Sequence, residues 1–200
     1  AGSQQGLRFL PQIAPTNQVI TAVNGGFFNR ITQLPLGAVR QNGTWLSGPI
    51  LNRGAIGWNP GEPPLFGRLT LTQALRGPEG QLWYLTHLNS GYIQRGLSRY
   101  TSAWGPRYRP LSGQEEAVLI QNGRVLRRIE REELTRGVSL TPTHDLIVAR
   151  GGIPLPLQKG DHIRLTERVN APLGRLPNIL GGGPLLLLNG QVVLNGRAEG

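Results

Sequence analysis

Ala117-Val118-Leu119-Ile120-Gln121-Asn122-Gly123-Arg124-Val125-Leu126-Arg127-Arg128-Ile129 reads as two β-prone runs hinged at one dipeptide. Asn-Gly tolerates positive φ at both central positions of a two-residue turn, and β-branched residues suit a pleated surface. The stretch therefore predicts a hairpin with strands near 117–121 and 124–129. The same signal recurs at Gln41-Asn42-Gly43-Thr44 and at Leu188-Asn189-Gly190-Gln191, predicting strand pairs 37–41/44–47 and 184–188/191–194.

Between these hairpins, short apolar runs bounded by turn residues predict strands at 54–59, 66–72, 82–88, 145–150 and 162–168. Val19-Ile20-Thr21-Ala22-Val23 reads as a buried strand running into Asn24-Gly25-Gly26. Helical patterning is sparse. Leu7, Leu10 and Ile13 recur every three residues within 4–14, interrupted by Pro11, and Glu130 to Arg136 places acidic residues ahead of Arg, as a short helix favours. The expected class is α+β: mainly antiparallel β-sheet with several hairpins and a few short helices. No linker divides 1–200 into two domains, and the turn-rich 59–64 reads as a loop within one.

Composition bounds the chemistry. Leu, Ile, Val and Phe make up 57 of 200 residues, enough for a core, while 29 Gly and 16 Pro call for many turns. The absence of Cys rules out disulfides, thiolate metal sites and a Cys nucleophile. No run approaches the length of a membrane-spanning helix. The net charge of +10 comes from 20 Arg and the single Lys159 against 9 Glu and 2 Asp. These Arg are scattered along the chain, which argues against a nucleic-acid surface and for anion recognition by a few specific guanidinium groups.

Three stretches stand out as candidate sites. Asn24-Gly25-Gly26-Phe27-Phe28-Asn29 lets backbone amides approach a ligand without Cβ interference, beside an Asn that both donates and accepts; the plain alternative is a tight turn over an aromatic anchor. Gly181-Gly182-Gly183-Pro184 could form a nest of amides for an anion, or a close strand contact before a buried strand. Leu88-Asn89-Ser90-Gly91-Tyr92, with Arg99-Tyr100-Thr101 and Trp104-Gly105, fits a sugar face or a loop whose aromatics close the core edge. Arg53 is a further candidate cation. Neither Ser47 nor Ser90 sits in a nucleophile elbow, and His87, His144 and His162 lack metal-ligand spacing, so no cofactor or metal is expected. The best carboxylates for proton transfer are Asp145, Asp161 and Glu167.

The order of these motifs resembles the phosphodiester glycosidase family, whose best-known activity removes N-acetylglucosamine from a mannose 6-phosphate diester. The resemblance rests on Ala22-Val23-Asn24-Gly25-Gly26-Phe27-Phe28, Pro35-Leu36-Gly37, an Asn-Gly hairpin, Arg53-Gly54-Ala55-Ile56-Gly57 and Gly181-Gly182-Gly183-Pro184-Leu185-Leu186 with Asn189-Gly190. It runs from about residue 7 to 199 and is similar in detail to the cyanobacterial branch. It implies hydrolysis of a sugar-1-phosphodiester or related linkage in a periplasmic or extracellular setting. It also implies a site with Asn24 orienting substrate or water, and Gly25, Gly26, Phe27, Gly181, Gly182 and Gly183 forming the cleft. Arg53, Asn89, Tyr92 and Arg99 are its expected neighbours.

Family members continue into an Arg-containing segment and an Asn-Leu-Asp-Gly-Gly loop that would complete the site. With Ala at position 1, the expectation is a piece of a longer protein, inactive on its own, with proton-transfer residues elsewhere. The expected partners are a sugar-phosphate or glycan, and the remainder of the protein or another protomer covering an open sheet edge. Two alternatives stay open: a non-catalytic carbohydrate or cell-envelope binding module, and a basic nucleic-acid-binding domain.

Overall fold

The computed structural model describes residues 25–31 and 33–194, so the helix expected at 4–14, the strand at 19–23 and Asn24 lie outside the described residues. All three Asn-Gly pairs turn as their chemistry requires. Asn42, Asn122 and Asn189 have φ of 48°, 50° and 52°, and Gly43, Gly123 and Gly190 follow at 81°, 75° and 77°.

Two sheets carry the structure. The larger has seven strands in the order β12 (Arg124–Ile129), β11 (Glu115–Gln121), β14 (His144–Arg150), β9 (Gly96–Tyr100), β8 (Leu82–Leu88), β7 (Leu71–Arg76) and β15 (Arg164–Val169). The smaller runs β4 (Thr44–Ser47), β3 (Val39–Gln41), β16 (Asn178–Gly181), β5 (Gly54–Trp58) and β6 (Leu65–Arg68). Three two-stranded ribbons complete it: β1 (Phe27–Phe28) with β2 (Pro35–Leu36), β10 (Arg107–Tyr108) with β13 (Val138–Ser139), and β17 (Leu187–Leu188) with β18 (Gln191–Val192).

Among the described residues the expected antiparallel pairing holds for every strand pair but one. β8 and β9 are parallel, with Leu85 opposite Leu97 and Leu88 opposite Arg99. The helical content is lower than α+β implies. Among the described residues the helices are α1 (Arg131–Arg136) and a 3-10 turn at Leu173–Arg175. α1 ends after six residues because Gly137, at φ 99°, turns its amide back to the carbonyls of Glu133 and Leu134. The run expected as one strand at 66–72 is two, β6 and β7, because the chain passes from the smaller sheet to the larger at Leu69-Thr70.

The larger sheet curls. Gly160–Ile163 bonds along the free edge of β12, with the Val125 amide to the Asp161 carbonyl at 2.9 Å and the Ile163 amide to the Gly123 carbonyl at 2.7 Å. The same segment then runs into β15 at the opposite edge. The curl buries one face of the central strands and a second cluster that includes α1 buries the other, which explains their near-continuous apolar runs. Val118, Ile120, Ile147 and Ala149 face the inside of the curl with Leu75, Leu97 and Ile163. Ala117, Leu119, Leu146 and Val148 face Tyr100, Trp104, Tyr108 and Leu134 of α1. A third cluster of Ala38, Trp45, Ala55, Leu69, Leu88, Leu173 and Ile179 joins the two sheets.

Candidate functional site

The smaller sheet brings three distant glycine segments to one place. β16 lies between β3 and β5, so Gly181 pairs with Ala55 and its amide donates to the Ala38 carbonyl at 2.7 Å. A Cβ on Gly181 would stand 2.7 Å from the Ala38 amide nitrogen, so only glycine fits against that backbone. One step on, Gly182 donates to the Gly54 carbonyl at 2.8 Å, and Gly54 donates to the Gly183 carbonyl at 3.0 Å. From the other side come Gly26, at φ 75°, whose Cβ would lie 3.8 Å from the Gly181 carbonyl, and the Phe27 ring, 3.3 Å from a Cβ on Gly183.

Arg53 closes this cluster. Its guanidinium carbon lies 5.3 Å from the centre of the Phe27 ring, a cation-π geometry, and its Nε is buried without a hydrogen-bond partner among the described residues. The crevice lined by Gly37, Arg53, Gly54, Gly181 and Gly182 encloses about 10 Å³, room for about one water. The glycines thus follow β16 rather than precede a buried strand. Beyond them Leu186 and Leu187 are more than half exposed.

Of the other residues singled out in the sequence, Asn89 is buried and Tyr92 half-buried, each with contacts inside the fold. Asn89 is fully buried at φ 45°, its side chain donating to Thr101 Oγ1 at 2.9 Å and accepting from the Thr101 amide at 2.8 Å. This fixes the return between the parallel strands. Tyr92 packs edge-on against His87, with ring centres 5.3 Å apart. The aromatics read as a sugar face close the core instead. Tyr100 and Trp104 have no exposed surface and stack edge to face at 5.0 Å.

Arg99 lies in a different cleft. Its Nε donates to Asp145 Oδ1 at 2.7 Å, and both residues line an opening of about 480 Å³ together with Trp45, His144 and Glu167. Two of the three carboxylates picked for proton transfer therefore share one cleft. Glu167 is engaged there, accepting from Trp45 Nε1 at 3.2 Å and Gln73 Nε2 at 2.6 Å. The third, Asp161, caps a turn by accepting from the Gln158 amide.

Sequence reading missed a buried ionic network. Arg150, 2% exposed, donates from Nε to Glu115 Oε1 at 2.7 Å, from Nη1 to Ser98 Oγ at 2.9 Å, and from Nη2 to the hydroxyls of Tyr100 and Tyr108 at 2.8 and 2.7 Å. Glu115 also accepts from Tyr108, from the Leu111 and Ser112 amides and from Ser112 Oγ. Burial raises both tyrosine hydroxyls above their ordinary titration range, so they remain donors. Nearby His87 is buried with Nδ1 unpartnered among the described residues, and its pKa is lowered to about 4, first by desolvation and then by the Arg150 charge. The only sequence signal was period two: Ser98 and Tyr100, like Val148 and Arg150, share one face of adjacent strands.

No family model matches this sequence, and none of the curated proteins matches it. Among solved structures, a hypothetical protein from Synechocystis is 43% identical, with a TM-score of 0.80 over 88% of this chain and 34% of that one. A protein of Burkholderia pseudomallei K96243, named as a presumed exported protein, shares the fold at 17% identity, with a TM-score of 0.63 over 80% of this chain and 40% of its own. The chain therefore spans about a third of the Synechocystis protein.

Proposed function

We propose that this chain contributes the anion-gripping half of a hydrolytic site resembling that of phosphodiester glycosidases, acting on a sugar-1-phosphodiester or related linkage. The observation that carries the reading is the convergence of Gly25–Phe27, Arg53–Gly54 and Gly181–Gly183, segments far apart in sequence, around a guanidinium whose buried Nε has no partner among the described residues. A phosphate needs several donors at once. An Arg fork supplies such donors; the amides of Gly54, Gly181 and Gly182 are spent on backbone carbonyls, so in this reading those of Gly25, Gly26 and Gly183 join Arg53, and glycine lets the ligand come close. The crevice is narrow, so in this reading the sugar lies outside it and only the phosphate oxygens approach Arg53.

The chain's own residues hold and polarise the anion, while proton transfer falls to groups outside this cluster. Asn24, next to Gly25, orients substrate or water in this reading, because an amide does not act as a base at neutral pH. A periplasmic or extracellular setting belongs to the same proposal, supported by the name of the Burkholderia neighbour. No helix of the described residues is long and apolar enough to cross a membrane.

The test is release of sugar from a sugar-1-phosphodiester by the full parent protein. Arg53→Ala should cut kcat/KM by about a hundredfold, and Arg53→Lys, which keeps charge but loses the fork, should restore part of it. Full activity of the Arg53→Ala protein, or no turnover of any such diester by the parent, would reject the proposal.

A further inference from the structure

The opening beside Arg99 shares no lining residue with the glycine crevice, and at about 480 Å³ it falls in the range of about 300–1,000 Å³ usual for small-molecule sites. It lies where β4 of the smaller sheet meets β15 of the larger, tied by the Trp45–Glu167 hydrogen bond. Its central feature is the Arg99–Asp145 pair, with side chains 16% and 29% exposed.

That pair is only half used. Arg99 spends Nε and Asp145 spends Oδ1 on each other, leaving both terminal nitrogens of Arg99 and Oδ2 of Asp145 without partners among the described residues. Asn122, at the turn between β11 and β12, lines the same space with a side-chain amide that makes no bond among the described residues, and the hydroxyls of Thr101 and Thr143 border it. Donors and acceptors therefore both line the cleft, with the Arg99 charge offset by Asp145 and the Glu167 carboxylate held by Trp45 Nε1 and Gln73 Nε2. An anion entering here meets Asp145 and Glu167, and a cation meets Arg99. A neutral ligand whose groups each donate and accept suits both, and that describes a sugar hydroxyl. A neighbouring space of about 300 Å³ shares Arg99, Asn122, Gly123 and Asp145 with the cleft, and there the partly buried Leu165 adds an apolar surface for a ring's C–H face.

We propose that this cleft binds a neutral saccharide through Arg99, Asp145 and Asn122, at a site separate from the glycine crevice. The proposal does not depend on the hydrolase reading, and loss of diester cleavage leaves it untouched. The test is a heteronuclear NMR titration of the chain with cellobiose, maltose and N,N′-diacetylchitobiose, each to about 20 mM, which covers weak millimolar affinities.

At least one disaccharide should give saturable shifts at the amides of Arg99, Thr101, Asn122 and Asp145. Asp145→Ala should weaken that binding about tenfold or more, as loss of a charged hydrogen-bond partner does. Asn122→Asp, which keeps a turn-forming side chain but loses the amide donor, should weaken it several-fold, so the proposal stays testable if Asp145→Ala disturbs the fold. Arg53→Ala should leave it unchanged. Absence of saturable shifts with all three sugars, shifts confined to the glycine crevice, or the same cleft shifts with inorganic phosphate would each overturn the proposal.

Discussion

Replacing Glu115 with Leu in the buried network separates the cost of an unpaired charge from ordinary packing loss. The side chain is removed at 0% exposure, beside a guanidinium at 2% exposure that has no other carboxylate partner among the described residues. Arg150 keeps its bonds to Ser98, Tyr100 and Tyr108, but these are neutral dipoles. An uncompensated buried cation costs about 3–5 kcal/mol. The Leu111 and Ser112 amides also lose their acceptor, at about 1–3 kcal/mol each where water does not reach them. The charge term alone lowers Tm by about 6–20 °C for a chain of this size. Calorimetry and urea titration of the wild type, Glu115→Leu, Arg150→Met and the double variant close the cycle. The double variant removes both charges at similar volume and should recover at least about 2 kcal/mol relative to Glu115→Leu. A Glu115→Leu penalty below about 1 kcal/mol, or a double variant showing the sum of the two single losses, would refute the claim that the pair's charge dominates.

Two further outcomes follow from the same structure. His87 stays neutral in the folded protein down to about pH 4, whereas the unfolded chain takes up a proton near its ordinary value of 6.5. Its contribution to stability is thus complete above pH 6.5 and lost as pH falls from 6.5 toward 4, amounting to about 3 kcal/mol. Urea midpoints of wild type and His87→Gln at pH 7 and 4.5 should differ in slope, and parallel lines would show that His87 does not couple to folding. Among the turn glycines, Gly43→Ala pays only the left-handed backbone cost of about 1–2 kcal/mol, because open space surrounds its Cβ position. Gly123→Ala adds a contact at 3.0 Å with the Ile163 carbonyl, in the segment that closes the curl, and should cost about 1 kcal/mol more; equal losses in thermal unfolding would disprove that contact's role.

Local chemistry was legible wherever it acts alone. Asn42-Gly43, Asn122-Gly123 and Asn189-Gly190 specify their turns through backbone sterics, and β8 and β14 follow from short apolar runs. The glycines and Arg53 were legible as candidates because glycine marks places of close backbone approach. Their meeting was not, since it depends on β16 inserting between β3 and β5. Period two fixes which residues share a face but not which strands become neighbours.

The sequence by itself determined the β-rich class, the three hairpins, the short helix after Ile129 and the residue types able to grip an anion, because these depend on φ preferences and neighbours a few residues apart. Only the tertiary structure decided the rest. The return between the parallel β8 and β9 buried Asn89, packing against Tyr108, Leu134 and Val138 on the outer face of the larger sheet buried Tyr100 and Trp104, and Arg99 came to face Asp145 across two strands. Each of these is a contact between residues distant in the chain, fixed by burial and strand order that no local pattern encodes.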